Sequence, residues 1–272
     1  MNTVETVNRA LSRSYLYHLS SLLFLYPEET VLSSLGWEEA GEAVALLGSP
    51  DGLKETLESL KGSLKPVDAL RSEFSKVFGY TLQSDAPPYE TLYGSGEYAG
   101  ANTQLAGAQV FEQSQTLGDI AGFYRAFGLE VSDQAKERVD YISIELEFMS
   151  FLAYKEAYAL ISDGGEKEKA EKVEICRDAQ RKFLSDHLGR WALFFTGRLE
   201  EKAKDGFYLW LARLTGKFLA FEIKAIEAQP AQVAGLAPVA PEAEGLCEKC
   251  VKRDACFPEE GELSWGASQS VF

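Results

Sequence analysis

Apolar residues recur at helical spacing along most of the chain, and this periodicity constrains the fold more than any other feature. No run alternates convincingly with a period of two, and no strand–helix–strand rhythm appears. The fold class is therefore predicted to be all-α, a compact bundle with more than four helices. The pattern predicts helices near 3–26, 37–47, 50–61, 66–78, 108–127, 133–162, 166–184, 187–203 and 206–227.

The composition changes near residue 228, which predicts three parts of unequal character. Residues 1–228 form the predicted helical domain. Residues 229–246 are rich in Ala and Pro and are predicted to be a linker. Residues 247–272 form a tail that contains cysteines.

The charge balance limits the kinds of partner. The formal net charge is -15, from 42 acidic and 27 basic residues. A basic surface for nucleic acid is therefore not expected, whereas a basic partner such as an Arg-containing peptide would be attracted. Solubility alone is the other explanation of this charge.

The first predicted helix gives no sign of export or membrane insertion. Its apolar run, 14–26, is too short to span a bilayer and lacks a small-residue cleavage site. The chain is therefore expected to be cytoplasmic, without a membrane span. His18 lies on the predicted apolar face and is interpreted as a satisfied core histidine. That face is made of Val4, Val7, Leu11, Tyr15, Leu19, Leu22 and Tyr26.

One acidic residue of the helix predicted at 133–162 conflicts with its pattern. Glu145 falls inside a broad apolar arc, where a carboxylate must be paired, protonated or exposed in a groove. Pairing with Arg138, seven residues earlier, or with another internal base is one interpretation, and a binding site is the other. The arc contains Tyr141, Ile142, Ile144, Leu146, Phe148, Met149 and Leu152, and the opposite side carries Asp140, Ser143, Glu147 and Ser150.

The longest predicted non-helical segment within the helical part runs from Gly79 to about Ala101. Pro87 and Pro88 deny the backbone donors that a helix needs. A loop of this length in a compact domain is usually functional or disordered, and its aromatic residues argue against plain disorder. A connector pinned by Tyr89 and Tyr93 is the alternative to a functional loop.

Three segments together resemble the TorD/NarJ family of redox-enzyme maturation chaperones, which includes DmsD-like members. The first is Phe74–Phe78 followed by Pro87–Tyr93. The second is Asp119–Leu129, leading into Asp140–Tyr141 and Glu145–Met149, and the third is Phe183–Trp191. The family pattern has Pro-Asp-His where this chain has Val139-Asp140-Tyr141, so a phenol replaces the imidazole.

The resemblance implies an all-helical fold, no catalytic activity and no required cofactor. It also implies a client, namely the catalytic subunit of a molybdopterin-containing oxidoreductase. Such chaperones bind the client or its twin-arginine leader before export or membrane assembly, and hold it until its cofactor is inserted. A monomer and a homodimer both remain open.

A leader of this kind offers two arginines and then an apolar stretch, so its site needs carboxylates and an apolar groove. Asp140 and Glu145 are the predicted carboxylates, because arginine pairs with carboxylates in a bidentate geometry. The predicted apolar wall consists of Tyr89, Leu92, Tyr93 and Tyr141. Replacing Asp140 by Ala is expected to weaken leader binding with stability nearly unchanged.

Each of these assignments has a structural alternative. Asp140 is otherwise a solvated residue on the polar side of its helix. His187 and Trp191, which are four residues apart and share a face, are interpreted either as core residues or as part of the site. Asp186 is interpreted as a cap for the helix that His187 begins.

The cysteine tail supplies an alternative function, a metal-binding or redox-sensing interaction protein. Cys247, Cys250 and Cys256 have spacings found in halves of zinc and iron–sulfur sites, but a fourth ligand is needed. Cys176 is interpreted as an isolated packing residue. No phosphate-binding loop, zinc-protease helix or nucleophile elbow appears, so an enzyme is not expected.

Overall fold

The computed structural model describes residues 3–79, 86–93, 103–132 and 137–231, and for residues 103–112 it describes the helical backbone alone. These residues form ten α-helices and one 3₁₀-helix and no strand, so the predicted all-α class is confirmed. The helices are α1 Thr3–Phe24, α2 Glu29–Ser33, α3 Trp37–Leu46, α4 Leu53–Gly62, α5 Val67–Phe78, the 3₁₀-helix Glu90–Leu92, α6 Thr103–Ala126, α7 Ile142–Ile161, α8 Glu166–Asp186, α9 Leu188–Ala203 and α10 Phe207–Ala225.

Helix α7 lies at the centre of the fold and packs along α1 in an antiparallel arrangement. Two pairs of serines fix the register of the two helices. The Ser143 hydroxyl donates to the Ser21 carbonyl (2.8 Å), and the Ser150 hydroxyl donates to the Ser14 carbonyl (2.9 Å). The side of α7 opposite its apolar arc therefore faces another helix, where small polar side chains allow close approach.

The buried face of α1 differs from the predicted one. Val4, Leu11 and Tyr26 are 62%, 41% and 50% exposed, whereas Val7 and Leu19 are buried as predicted and share the interior with a stripe that contains Tyr17 and Phe24. His18 is half-buried and has no hydrogen-bond partner among the described residues, so its interpretation as a satisfied core histidine is wrong. The helical period was sufficient to predict α1, but the apolar residues on both of its sides left the choice of face open.

The remaining helices surround the α1–α7 pair. Helix α8 packs on α7, α9 packs on α10, α3 packs on α1, and α4 packs on α10. Aromatic side chains fill the space between these helices, as where Phe24 contacts Phe78 and Phe195 and where Phe78 contacts Tyr208. No helix of the described chain is long and apolar enough to cross a bilayer.

A buried charged network ties the first helix to three later ones. The Arg13 guanidinium donates from Nε to both carboxylate oxygens of Glu222 (2.9 and 2.8 Å), from Nη1 to Glu156 (3.0 Å) and from Nη2 to Gln180 (2.5 Å). All four side chains are buried. Because the partners lie on α10, α7 and α8, one arginine holds four helices together.

The start of α7 is the largest difference from the predicted helices. The sequence predicts a helix from residue 133; residues 133–136 lie outside the described ranges, residues 137–141 are not helical, and α7 begins at Ile142, with Tyr141 in extended conformation before it. The predicted helix end at Gly128 is confirmed, because Gly128 has a φ of 73° and the Leu129 amide donates to the Tyr124 carbonyl (3.0 Å). The short helix α2 was not predicted.

Candidate functional site

The three segments that carry the family resemblance meet at one place. The loop before the 3₁₀-helix pairs with the chain before α7 in a short antiparallel bridge between Tyr89 and Tyr141. The Ile142 amide donates to the Pro88 carbonyl (2.9 Å), and the Glu90 amide donates to the Asp140 carbonyl (3.0 Å). The 3₁₀-helix therefore lies against the start of α7, and the junction of α8 and α9 packs beside both.

Asp140 holds this bridge from the inside and is not the solvated residue of the alternative interpretation, since it is fully buried. Its Oδ2 accepts hydrogen bonds from the amide and the hydroxyl of Thr91 (3.1 and 2.7 Å). Arg138 donates to both of its oxygens (3.0 and 2.9 Å) and stacks its guanidinium 5.1 Å from the centre of the Tyr89 ring. The Asp140 carboxylate is thus fully engaged within the protein.

Glu145 is fully buried, but its predicted pairing with Arg138 is wrong. Residues 138–141 precede α7, so the helical spacing that would align the two side chains does not hold. The indole Nε1 of Trp191 donates to Glu145 Oε2 (3.2 Å), and Oε1 has no hydrogen-bond partner. Burial, followed by the nearby charge of Glu90, raises the pKa of Glu145 well above its ordinary value, which favours the protonated form of the group.

Glu90 joins the first and third segments, although the sequence analysis did not single it out. It is buried in the 3₁₀-helix, and its carboxylate oxygens lie 3.3 and 3.4 Å from Nδ1 of His187. The imidazole packs against the rings of Phe123 and Phe183, whose centres are each 5.3 Å from its own. Trp191, Glu145, Glu90 and His187 therefore form a buried polar cluster contributed by all three segments.

The junction of α8 and α9 presents His187 to this cluster. Asp186 is the last residue of α8, and His187 lies between the two helices, so the predicted cap by Asp186 is wrong. Gly189 is required there, because a Cβ at this position would collide with the carbonyl oxygen of Leu184. This close approach fixes where the His187 and Trp191 side chains point.

Aromatic side chains surround the polar cluster. Tyr89 packs on Tyr141 with ring centres 5.3 Å apart, and the Tyr141 hydroxyl donates to the Phe24 carbonyl (2.6 Å). Tyr93 lies on Trp191 with ring centres 5.2 Å apart. The predicted site residues Leu92, Tyr93, Asp140, Tyr141, Glu145, His187 and Trp191 are all buried, and Tyr89 is partly exposed.

A surface pocket of about 610 Å³ opens beside the buried cluster, and His187 forms part of its wall. Among the described residues, the exposed Asp119 and Asp186 carboxylates on this wall have no hydrogen-bond or ion-pair partner. Arg190 also lines it, and its Nε is buried without a partner. We call this space the His187 pocket; it is lined by Thr116, Gly118, Asp119, Gly122, Phe123, Ala126, Ser185, Asp186, His187, Arg190 and Ala231.

The sequence did not reveal the His187 pocket, although most of its residues lie in segments that carry the family resemblance. Asp119 and Phe123 belong to the 119–129 segment, and Asp186 belongs to the 183–191 segment. Spacing within one helix did not reveal that α6 and the α8–α9 junction face each other. The assignment of the eight predicted residues to a peptide site stays a prediction.

No group of three or more potential metal ligands of a geometry that holds a metal ion occurs within the described ranges. Cys247, Cys250 and Cys256 lie outside those ranges, so the predicted zinc or iron–sulfur site at the tail stays a prediction. Cys176 is buried in α8, and burial raises the pKa of its thiol, as is typical of a packing residue.

The buried Glu145 predicts a pH dependence of stability. The pKa of Glu145 is higher in the folded protein than in the unfolded chain, where it is about 4.3, so unfolding releases a proton at pH values between these two pKa values. This group's contribution to the free energy of unfolding therefore falls as the pH rises, by about 1.4 kcal/mol per pH unit up to the folded-state pKa. Replacing Glu145 by Gln removes this contribution, because an amide keeps the shape of the neutral acid.

Urea unfolding at several pH values between 5 and 8 measures the effect. We expect the Glu145→Gln protein to gain stability relative to the unmodified protein as the pH rises. Glu174→Gln, an exposed substitution on α8, is the matched control and is expected to leave the slope unchanged. Equal slopes for the Glu145→Gln and unmodified proteins would mean that the buried acid is ionised.

Comparison with known proteins adds a second line of evidence. The family model described as "Nitrate reductase delta subunit" matches residues 48–196, a stretch that contains the 3₁₀-helix, α7 and the α8–α9 junction. The chain is 27% identical over 220 residues to a perchlorate reductase assembly chaperone protein of Dechloromonas aromatica, covering 79% of this chain and 90% of that protein.

Two further relatives carry related names. A chaperone protein TorD of Vibrio parahaemolyticus is 25% identical over 221 residues, which cover 79% of this chain and 93% of that protein. A selenate reductase assembly chaperone protein of Thauera selenatis is 35% identical over 92 residues, which cover 34% of this chain and 43% of that protein. The chain is thus similar to assembly chaperones over most of its helical part.

Proposed function

Because this chain belongs to the nitrate reductase delta subunit family, whose model matches more than half of it, we propose that it is an assembly chaperone for a molybdopterin-containing oxidoreductase. It binds the catalytic subunit of that enzyme, or the twin-arginine leader of the subunit, in the cytoplasm before export or membrane assembly. It holds this client until the cofactor is inserted. Its work is binding, and no chemical step is assigned to its residues.

The meeting of three separate segments beside an open pocket is the observation that carries this proposal. The buried cluster of Glu90, Glu145, His187 and Trp191 fixes the 3₁₀-helix against α7 and α9. Fixed elements of this kind hold a binding surface in one shape. We propose that the residues predicted from the sequence mostly build the surface, and that the His187 pocket makes direct contact with the client.

The chemistry of the His187 pocket suits a basic, partly apolar segment. Asp119 and Asp186 offer two carboxylates free to receive guanidinium groups, and Phe123 offers an apolar ring between them and His187. The net charge of -15 attracts such a segment from a distance. Arg190 adds one positive charge to the wall, so the leader's arginines are expected to approach from the Asp119 side.

Co-purification from the native host tests the function itself. An affinity-tagged protein is expressed in cells that make the oxidoreductase, and the retained proteins are identified by mass spectrometry. We expect the molybdopterin-containing catalytic subunit to be enriched, and to be enriched further when cofactor synthesis is blocked. Retention of no oxidoreductase subunit under either condition would contradict the chaperone assignment.

The pocket assignment has its own prediction. Replacing Asp119 and Asp186 by Asn is expected to weaken binding of a fluorescent twin-arginine peptide about fivefold per residue, because an exposed ion pair contributes up to about 1 kcal/mol. Fluorescence anisotropy measures the dissociation constant, and thermal unfolding checks the fold. Both carboxylates lack internal partners, so the melting temperature is expected to stay unchanged.

Asp68 and Asp163 supply the control, since Asn substitutions there remove the same charges at exposed positions outside the pocket. A peptide whose two arginines are replaced by glutamine is the control on the ligand side. If the Asp68 and Asp163 variants weaken binding equally, the attraction is a general effect of net charge and the pocket is not the site.

A further inference from the structure

Four arginines from two helices line a second pocket. Arg9 and Arg13 lie on α1, and Arg177 and Arg181 lie on α8, with the same spacing of four residues in each pair. The pocket has a volume of about 380 Å³, within the range of sites for small molecules. Arginines at such a density are unusual for a chain with a net charge of -15. We call this space the four-arginine pocket.

The four guanidinium groups differ in how far the protein uses them. Arg13 is fully engaged with Glu222, Glu156 and Gln180. Arg9 is partly buried, and it has no hydrogen-bond or ion-pair partner among the described residues. A partly buried guanidinium without an acceptor is unfavourable unless a ligand or water accepts its donors.

The two arginines of α8 also have N–H donors without an acceptor in the described chain. Arg177 donates only from Nε, to Glu156 Oε1 (2.7 Å), so both of its terminal nitrogens remain without an acceptor in the described chain. Arg181 donates from Nε to the Ile226 carbonyl (3.3 Å) and pairs through Nη1 with Asp178, which leaves Nη2. Donors from three guanidinium groups therefore line one cavity.

We propose that the four-arginine pocket binds a small phosphate- or diphosphate-bearing molecule, at a site separate from the His187 pocket. A guanidinium fork matches phosphate oxygens in a bidentate geometry. The free terminal nitrogens of Arg9 and Arg177, together with Nη2 of Arg181, present more donors, in more directions, than the two oxygens of one carboxylate can accept. A tetrahedral oxyanion with three or four oxygens satisfies them better.

The carboxylates around the pocket determine how strongly the protein opposes an incoming anion. Glu156 and Glu222 are both engaged by Arg13, and Glu156 also accepts from Arg177. Glu227 lines the pocket, is exposed and has no partner among the described residues, so it opposes an incoming anion. Removing its charge is therefore expected to strengthen binding, which is the opposite of the arginine substitutions.

Isothermal titration calorimetry with sodium pyrophosphate, at constant ionic strength, tests the proposal on the full-length protein. We expect one site per chain, weakened at least tenfold by Arg9→Gln and by Arg177→Gln and strengthened by Glu227→Gln. Arg9 has no internal partner, so Arg9→Gln is expected to keep the melting temperature of the unmodified protein. Arg198→Gln, outside the pocket, is the matched control and is expected to bind pyrophosphate normally.

Three results would overturn the proposal. The first is no detectable heat with millimolar pyrophosphate. The second is a loss of affinity in Arg198→Gln equal to that in Arg9→Gln, which would indicate attraction by charge in general. The third is binding of citrate as tight as that of pyrophosphate, which would assign the pocket to carboxylates. Because peptide binding at the His187 pocket is measured separately, failure here leaves the chaperone proposal untouched.

Discussion

Replacing Arg13 by methionine is expected to destabilise the protein by about 3–5 kcal/mol, the largest loss of any single substitution considered. The variant leaves Glu222 in the interior without the guanidinium that neutralises it, and Glu156 keeps only its pair with Arg177. The side chains of both acids are almost fully buried, at 0% and 4% exposure, so water does not replace the lost partner. A decrease of the melting temperature on the order of 10 °C is expected for a chain of this size.

The double variant Arg13→Met/Glu222→Leu distinguishes a lost ion pair from lost packing. It removes both charges and leaves Glu156 paired with Arg177. Most of the stability is expected to return, because replacing both partners of a buried pair with apolar groups is often nearly neutral. Urea unfolding provides the free energies, and Arg213→Gln, which breaks a partly exposed pair with Glu200, is expected to cost less than about 1 kcal/mol. An equally small loss for Arg13→Met would contradict the assigned role of the network.

Replacing Asp140 by alanine is expected to cost about 3 kcal/mol of stability, because it removes the acceptor for the Thr91 amide and hydroxyl and the partner of Arg138. The sequence favours another outcome, weaker peptide binding with nearly unchanged stability. In the structure the carboxylate is fully buried and the 3₁₀-helix depends on it, so the larger expected effect is on stability and the smaller one is on peptide binding.

Comparing Asp140→Asn with Asp140→Ala separates the effect of the negative charge on stability from the effect of the side-chain shape. Asp140→Asn keeps an oxygen for the Thr91 hydrogen bonds but weakens the attraction to Arg138, so a smaller loss than for Asp140→Ala is expected. Asp68→Ala on α5 is the control, because its side chain is 91% exposed. Thermal unfolding and peptide anisotropy are measured on the same samples. Unchanged stability together with lost peptide binding would show that Asp140 faces the ligand after all.

Local features of the sequence predicted the helices well, because the helical spacing of apolar residues is recognisable within a few turns of each helix. The conflict at Glu145 was also a valid signal, since that residue is buried in a polar cluster and its pKa is raised by the burial. The residues that contact Glu145 could not be predicted from the sequence. Trp191 and Glu90 lie far from it in sequence, and helical spacing carries no information about contacts between different elements.

The errors at the start of α7 have one origin. The apolar pattern continues through residues 138–141, but the short bridge to the Tyr89 segment holds these residues in a non-helical conformation. Once they leave the helix, Arg138 turns to Asp140 and away from Glu145. Tertiary pairing thus overrode a local preference, which periodicity alone does not reveal.

The hydrogen bonds from Arg13 to Glu222 join residues that are 209 positions apart in the chain. During synthesis on a ribosome, α1 is made long before α10 exists to supply Glu222. At roughly 5–20 residues per second, this interval is on the order of 10–40 s. Arg13 on α1 therefore has no acidic partner from this network until Glu156, 143 positions later, has been made, and the network is complete only once α10 has emerged.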